Sequence, residues 1–430
     1  MDAEAGSPPL RSRLLPELLR RNVSFRHFWT GQSISLLGDQ ITLIALPLVA
    51  VLELDAGPAE MGYLTAANLI PNLLFAIHAG AWIDRRAGRR RVMIAADLGR
   101  ALLLASIPVT AWLGLLSMAQ LYVVAFAVGS LTVLFWVSYN AIFAALLARE
   151  DYMTGSALLN GSRAVSFMAG TSVGGLLVQA LTAPVALLAD AVSFVASAAF
   201  MRASKATEPD PEPGIGSGIT DGLRWLARNP IMRADLAATA TINLFNFMFF
   251  ALFILYAINE LGVAPGTLGL VLGAAAVGSI IGSLVTGRIQ RRIGVGPAFA
   301  LGCFVFPAPL VLVPLAGNAG SQMQVLALLF LAEFGSGMGV MILDITAGAI
   351  TAALVPEGLR SRVSGAFMVV NYGVRPIGSL AGGALGSWLG LQPALWIATV
   401  GAVAGVLWLL PSPIMRLREL PDTATANYGG

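Results

Sequence analysis

Ionisable side chains stand inside long apolar runs of this chain, and the chemistry open to them there is proton binding and ion pairing. Asp39 lies a third to halfway along the first run, Glu333 near the middle of the tenth and Arg375 near the middle of the eleventh. A charge in hydrocarbon costs at least about 2.5–3.5 kcal/mol, so such residues face a cavity or a partner. A carboxyl that gains and loses its charge at such a place carries protons. Asp39 is the first candidate and Glu333 the second; a polar packing contact to a neighbouring helix is the alternative for Asp39. Glu333 and Arg375 have opposite charge and similar depth, so they either form a structural ion pair or meet a substrate in a cavity shared with Asn246. Asp97 and Arg100 are spaced i,i+3 on one helix face. Their expected place is the cytoplasmic end of the third run. Arg163 and Asp344 are expected near the same side. Asp190 has Ser193 and Ser197 at hand to satisfy it by hydrogen bonds.

Other chemistry finds no support. The chain holds 2 His and 1 Cys, too few for a metal site or a disulfide. It has no P-loop, no GxSxG elbow and no dinucleotide fingerprint after a strand. We expect no catalytic residue, no cofactor, no nucleic-acid partner and no ATP hydrolysis. A membrane-embedded acyltransferase would need a His or Cys cluster, which His27 and His78 do not make.

Composition places these residues in a bilayer. The 430 residues are 57% hydrophobic and 11% charged, against about 25% charged in a soluble domain. A span needs about 20 apolar residues. Runs of that kind cover 28–53, 59–83, 92–115, 121–147, 157–181 and 184–201, then 234–257, 266–289, 296–315, 325–354, 363–389 and 393–410. Arginines fill alternate connections: Arg85, Arg86, Arg89, Arg90 and Arg91, then Arg149, Arg202, Arg224, Arg228, Arg291, Arg292, Arg360 and Arg362. The other connections carry acids such as Asp55, Glu60 and Glu260 and no base. The positive-inside rule makes both termini cytoplasmic.

The chain also repeats. "AVLELDAGPAEMGYL" (50–64) falls on "AINELGVAPGTLGLV" (257–271), an offset of about 207 residues. Gly62 falls on Gly269, Asp39 on Asn246, and "GGLLV" (174–178) near "GGALG" (382–386). The expected order is a cytoplasmic segment (1–27), a six-helix bundle (28–203), a cytoplasmic linker (204–231), a second six-helix bundle (232–411) and a cytoplasmic tail (412–430). Ile219, Leu223, Trp225 and Leu226 suit a short amphipathic helix in the linker, with a solvated turn as the alternative. Parallel repeats of this kind are expected to meet at a cavity near the midplane.

The loop after the second run reads "GAWIDRRAGRRR" (80–91). It resembles the G-x-x-x-D-R-x-x-G-R-R loop of the major facilitator superfamily, an all-α polytopic fold of twelve helices in two related bundles. "FRHFWTGQSISLLGDQITLIALPLV", "LNGSRAVSFMAGTSVGGLL" and "VPEGLRSRVSGAF" resemble its enterobactin-exporter and macrolide-efflux-like branch. The resemblance implies a cytoplasmic latch of Gly80, Asp84, Arg85, Gly88 and Arg89, with Asp97 and Arg100 behind it. It also implies a monomeric, proton-coupled exporter of a drug-like or natural-product molecule in the inner membrane. A nutrient importer or facilitator on the same fold is the rival. One departure is Thr171, where proton-antiport exporters often carry proline in G-x-x-x-G-P-x-x-G-G.

Overall fold

The computed structural model describes residues 16–84, 88–204 and 219–420, and of 76–84 and Ile219 the backbone alone. Among the described residues every regular element is a helix. A short α1 (Glu17–Arg21) leads into six membrane helices: α2 (Val23–Glu53), α3 (Pro58–Asp84), α4 (Arg89–Trp112), α5 (Met118–Leu146), α6 (Tyr152–Ala180) and α7 (Ala183–Ala203). A linker helix α8 (Ile219–Arg228) precedes the second six. These are α9 (Pro230–Asn259), α10 (Pro265–Ile293), a broken span made of α11 (Val295–Val305) and α12 (Leu312–Ala316), α13 (Gln322–Leu354), α14 (Arg360–Leu389) and α15 (Leu391–Ala404).

Among the described residues, nine of the twelve spans pass as membrane helices on length and apolarity alone. The other three, α3, α6 and α14, have 27, 29 and 30 residues. All three are long enough to cross a bilayer. Side chains set several helix starts by accepting otherwise orphaned N–H groups: Asn22 from Phe25, Ser117 from Gln120, Thr182 from Val185 and Ser321 from Gln324. Pro230 and Pro265 begin α9 and α10, where a missing N–H costs nothing.

The ninth span is not the continuous helix expected over 296–315. Pro307, Pro309 and Pro314 interrupt it with a 3₁₀ turn, Ala308–Val311. α13 accommodates the break with small residues: a β-carbon on Gly335 would press on Pro309, and one on Gly339 on the backbone of Val305 and Phe306.

Polar contacts hold both ends of the described chain on one face, called here the terminal face. Asn22 donates to the Leu146 carbonyl at 2.7 Å, Arg21 pairs with Asp151 at 2.6 Å, and Arg90 donates to the Arg202 carbonyl at 2.8 Å. The Val295 N–H donates to the Arg418 carbonyl at 3.2 Å, holding the C-terminal segment there too. α8 packs its buried Leu226 beneath α14, and its Gly222 lies against the Arg362 backbone.

The bundles meet through α3 with α14 and through α6 with α10. Both crossings are glycine on glycine. A β-carbon on Gly62 would come within 2.9 Å of the Gly383 Cα, and one on Gly175 within 2.8 Å of the Gly269 Cα. Neither gap admits an alanine without backbone movement. Gly62 and Gly269 are equivalent in the repeat, so the two crossings are mates under the internal symmetry. Both lie near the face opposite the termini, where the Gly266 N–H also reaches Gln179 at 2.9 Å. Toward the terminal face the helices part. A β-carbon on Gly161, Gly348 or Gly365 would meet nothing within 4 Å. The buried core, a single cluster across both bundles toward the opposite face, divides toward the terminal face into one cluster per bundle, so a vestibule opens between them there.

Candidate functional site

Two polar features stand at mid-depth, one inside the first bundle and one between the bundles. The first is built on Arg100, which is 2% exposed. Its guanidinium bonds Asp97 one helical turn back and lies over the rings of Phe194 at 4.0 Å and Phe135 at 4.6 Å. The pair stands deeper than the helix end where it was expected. Arg100 is eleven residues into α4, about 16 Å from its start, and faces the bundle interior, because an arginine at that depth must find its acid and aromatic partners there.

α7 and α2 add two more carboxylates. Asp190, fully buried, accepts from Thr42 and from the Ser193 hydroxyl at 2.8 Å. Asp39 is half-buried and senses the charges of both Arg100 and Asp190. The helices approach closely because residue 38 is glycine; a β-carbon there would overlap Asp190 Oδ1 and Ser193 Oγ. Asp39, Asp97 and Asp190 thus share the field of one guanidinium.

The second feature is a cavity of about 220 Å³ between the bundles. α6 supplies Phe167 and Thr171, α9 supplies Asn246, Phe249, Phe250 and Phe253, and α13 supplies Glu333 and Ser336. Thr171, at the position where proton-antiport exporters often carry proline, keeps the backbone N–H that proline lacks, and its hydroxyl donates to the Phe167 carbonyl at 3.1 Å. Asn246 and Glu333 line this cavity together. Asp39 does not; its helix contributes Leu43.

Glu333 and Arg375 do not pair. Arg375 donates to Asn243 Oδ1 at 3.0 Å and lies over Tyr372 at 4.1 Å and Phe247 at 4.9 Å. Asn243 in turn bonds Asn371 at 3.1 Å. The acid that feels Arg375 is Asp344. Equal depth put the two residues on one level, but rotation about the helix axes sends Arg375 toward α9 and Glu333 into the cavity.

At the expected latch, Gly88 takes φ +113° and begins α4, and Arg89 is buried. The side chain of Asp84 and the whole of Arg85 lie outside the described residues, and Gly80 is described by its backbone alone. One buried acid escaped sequence reading. Asp235 is fully buried in α9 with neither carboxylate oxygen hydrogen bonded. It is the second residue of the run 234–257, where the sequence alone did not single it out, and α9 begins five residues before it.

Comparison with known proteins agrees with this architecture. The family model described as Major Facilitator Superfamily matches residues 28–375 and 236–425. The multidrug efflux pump Tap of Mycolicibacterium fortuitum is 27% identical over 418 residues, covering 89% of this chain and 93% of Tap. The uncharacterized MFS-type transporter YfiS of Bacillus subtilis (strain 168) is 26% identical over 421 residues, covering 94% and 96%. Among solved structures, a nucleoside transporter NupG mutant superposes with a TM-score of 0.74 at 13% identity, covering 90% of this chain and 99% of NupG. A bacterial homologue of the iron transporter ferroportin gives 0.72 at 16% identity, covering 92% and 99%. With twelve helices in two bundles and a family match across nearly its whole length, the chain belongs to the Major Facilitator Superfamily.

Proposed function

We propose that this transporter is a proton-coupled exporter of the plasma membrane that moves a drug-like or natural-product amphiphile outward by alternating access. The observation that carries the reading is the cluster of three acids on one guanidinium. All three ionised would leave a net charge of −2 (three acids minus one base) at bilayer depth, and each uncompensated charge there costs several kcal/mol. The cluster meets that cost by holding a proton. Asp39 is the half-buried member and the one positioned to exchange it, while Arg100 fixes Asp97.

The arginine-rich connections lie on the terminal face, which we assign to the cytoplasm. The vestibule then faces inward and admits substrate from the cytoplasm or inner leaflet. Rocking of the bundles opens the other side, a proton from outside occupies Asp39, substrate leaves, and the loaded carrier returns. Glu333 contacts the substrate in the cavity between the bundles. One charge falling through 100 mV supplies about 2.3 kcal/mol, so one proton exchanged for a neutral molecule sustains a concentration ratio of roughly fifty; exchanged for a monovalent cation the step is electroneutral and the pH gradient alone drives it. Similarity to a protein named a multidrug efflux pump supports outward transport of diverse molecules.

The test is drug accumulation in inverted membrane vesicles energised to be acid inside. Wild type should accumulate substrate, and a protonophore should stop it. Asp39→Asn should abolish pH-driven uptake. Undiminished uptake by that variant would remove Asp39 from the proton path, and net flux in the opposite sense would establish the importer.

A further inference from the structure

We propose that the cavity between the bundles selects organic cations, with Glu333 as the counter-charge and the surrounding rings as the apolar and cation–π surface. This rests on the reading of that cavity as the substrate site and adds the charge class of the ligand. The cavity lining contains one acid, Glu333, and no base. The candidate base at similar depth, Arg375, is occupied by Asn243, Tyr372 and Phe247. Glu333 is 8% exposed, on the membrane-buried stretch of α13, and lines the cavity. An acid at that depth ionises only against a counter-charge, and a bound ligand cation supplies one.

The rings supply the second determinant. Phe167, Phe249, Phe250, Phe253 and Phe306 line the same space, and Phe249 and Phe253 stack at 5.3 Å. Ring faces attract a desolvated cation and accept the apolar body of an amphiphile. The remaining polar groups are Asn246, Thr171, Ser279 and Ser336. Thr171 and Ser279 spend their hydroxyl protons on backbone carbonyls, at 3.1 and 3.0 Å. Such a lining has little to offer a sugar or an anion. The volume of about 220 Å³ lies below the roughly 300–1,000 Å³ of most drug sites, so it fits the cationic head of a ligand whose remainder extends into the vestibule.

The probe is tritiated benzyltrimethylammonium, with neopentylbenzene as its neutral carbon isostere, on the purified full-length protein in detergent without any gradient. Wild type should bind the cation saturably, and the isostere should displace it at least about tenfold less well. Glu333→Gln should weaken cation binding about tenfold or more and abolish the preference over the isostere, while Glu333→Asp retains it. Thermal stabilisation of Glu333→Gln by neopentylbenzene shows that the variant is folded. Equal displacement by cation and isostere in wild type, or unchanged cation affinity in Glu333→Gln, overturns the charge selectivity alone. Failure of wild type to bind either compound overturns the cavity as the substrate site as well. Binding without a gradient is independent of transport direction and of Asp39, so the vesicle experiment and this one fail separately.

Discussion

Arg100 is the one base in a cluster of three acids, and its loss is felt by all of them. Arg100→Gln should destabilise the protein by about 3–5 kcal/mol, the usual cost of stranding a buried partner. The readout is the thermal unfolding midpoint in detergent, and Asp97→Asn on top of Arg100→Gln should recover part of the loss. No recovery would mean that the pair is not the source of the stability. The residue types of this cluster were legible in the sequence, since an acid or arginine in an apolar run announces itself. Its membership was not. Asp39, Asp97, Arg100 and Asp190 come from three helices, and no spacing within one helix reports which neighbour it faces. The same blindness to helix rotation produced the expected Glu333–Arg375 pair. Asp235 was missed for a different reason, because it stands at the very start of its apolar run, where depth is not legible from sequence and α9 begins five residues before it.

At the scale of elements, the repeat found in the sequence anticipated where the bundles touch. Gly62 and Gly269 matched across the offset, and the structure places both against a glycine of the opposite bundle. What the sequence concealed was the partner: Gly383 and Gly175 sit among many glycines with the same small-residue spacing. Gly175→Val should cost about 1–3 kcal/mol by overpacking and hold the outer side open. Substrate release would then outpace return, so the variant should bind substrate in detergent yet fail to accumulate it in inverted vesicles. Normal accumulation would show that the crossing tolerates a side chain. The kinked ninth span was half legible. Three prolines stand in a run read as one continuous span, and the accommodation of the break by Gly335 and Gly339 of α13 needed the packing.

For the whole molecule, the shape of the vestibule makes a prediction that one accident of composition renders easy to test. The single cysteine, Cys303, is buried with 0% exposure, so an introduced thiol reports without background. Gly161→Cys should react readily with a membrane-impermeant maleimide added from the cytoplasmic side, and Gly269→Cys should not. Comparable labelling of both would show that the bundles do not part as described. The paired glycine crossings bear on this motion as well. Two contact points at one end, related by the internal symmetry, define a fulcrum. The helices are about 30 Å levers, so a roll of some 10° at the glycines swings their far ends by about 5 Å. Bare backbone at the pivot lets surfaces slide without side chains catching, and a small rearrangement at the sealed end is geared into a wide one at the open end.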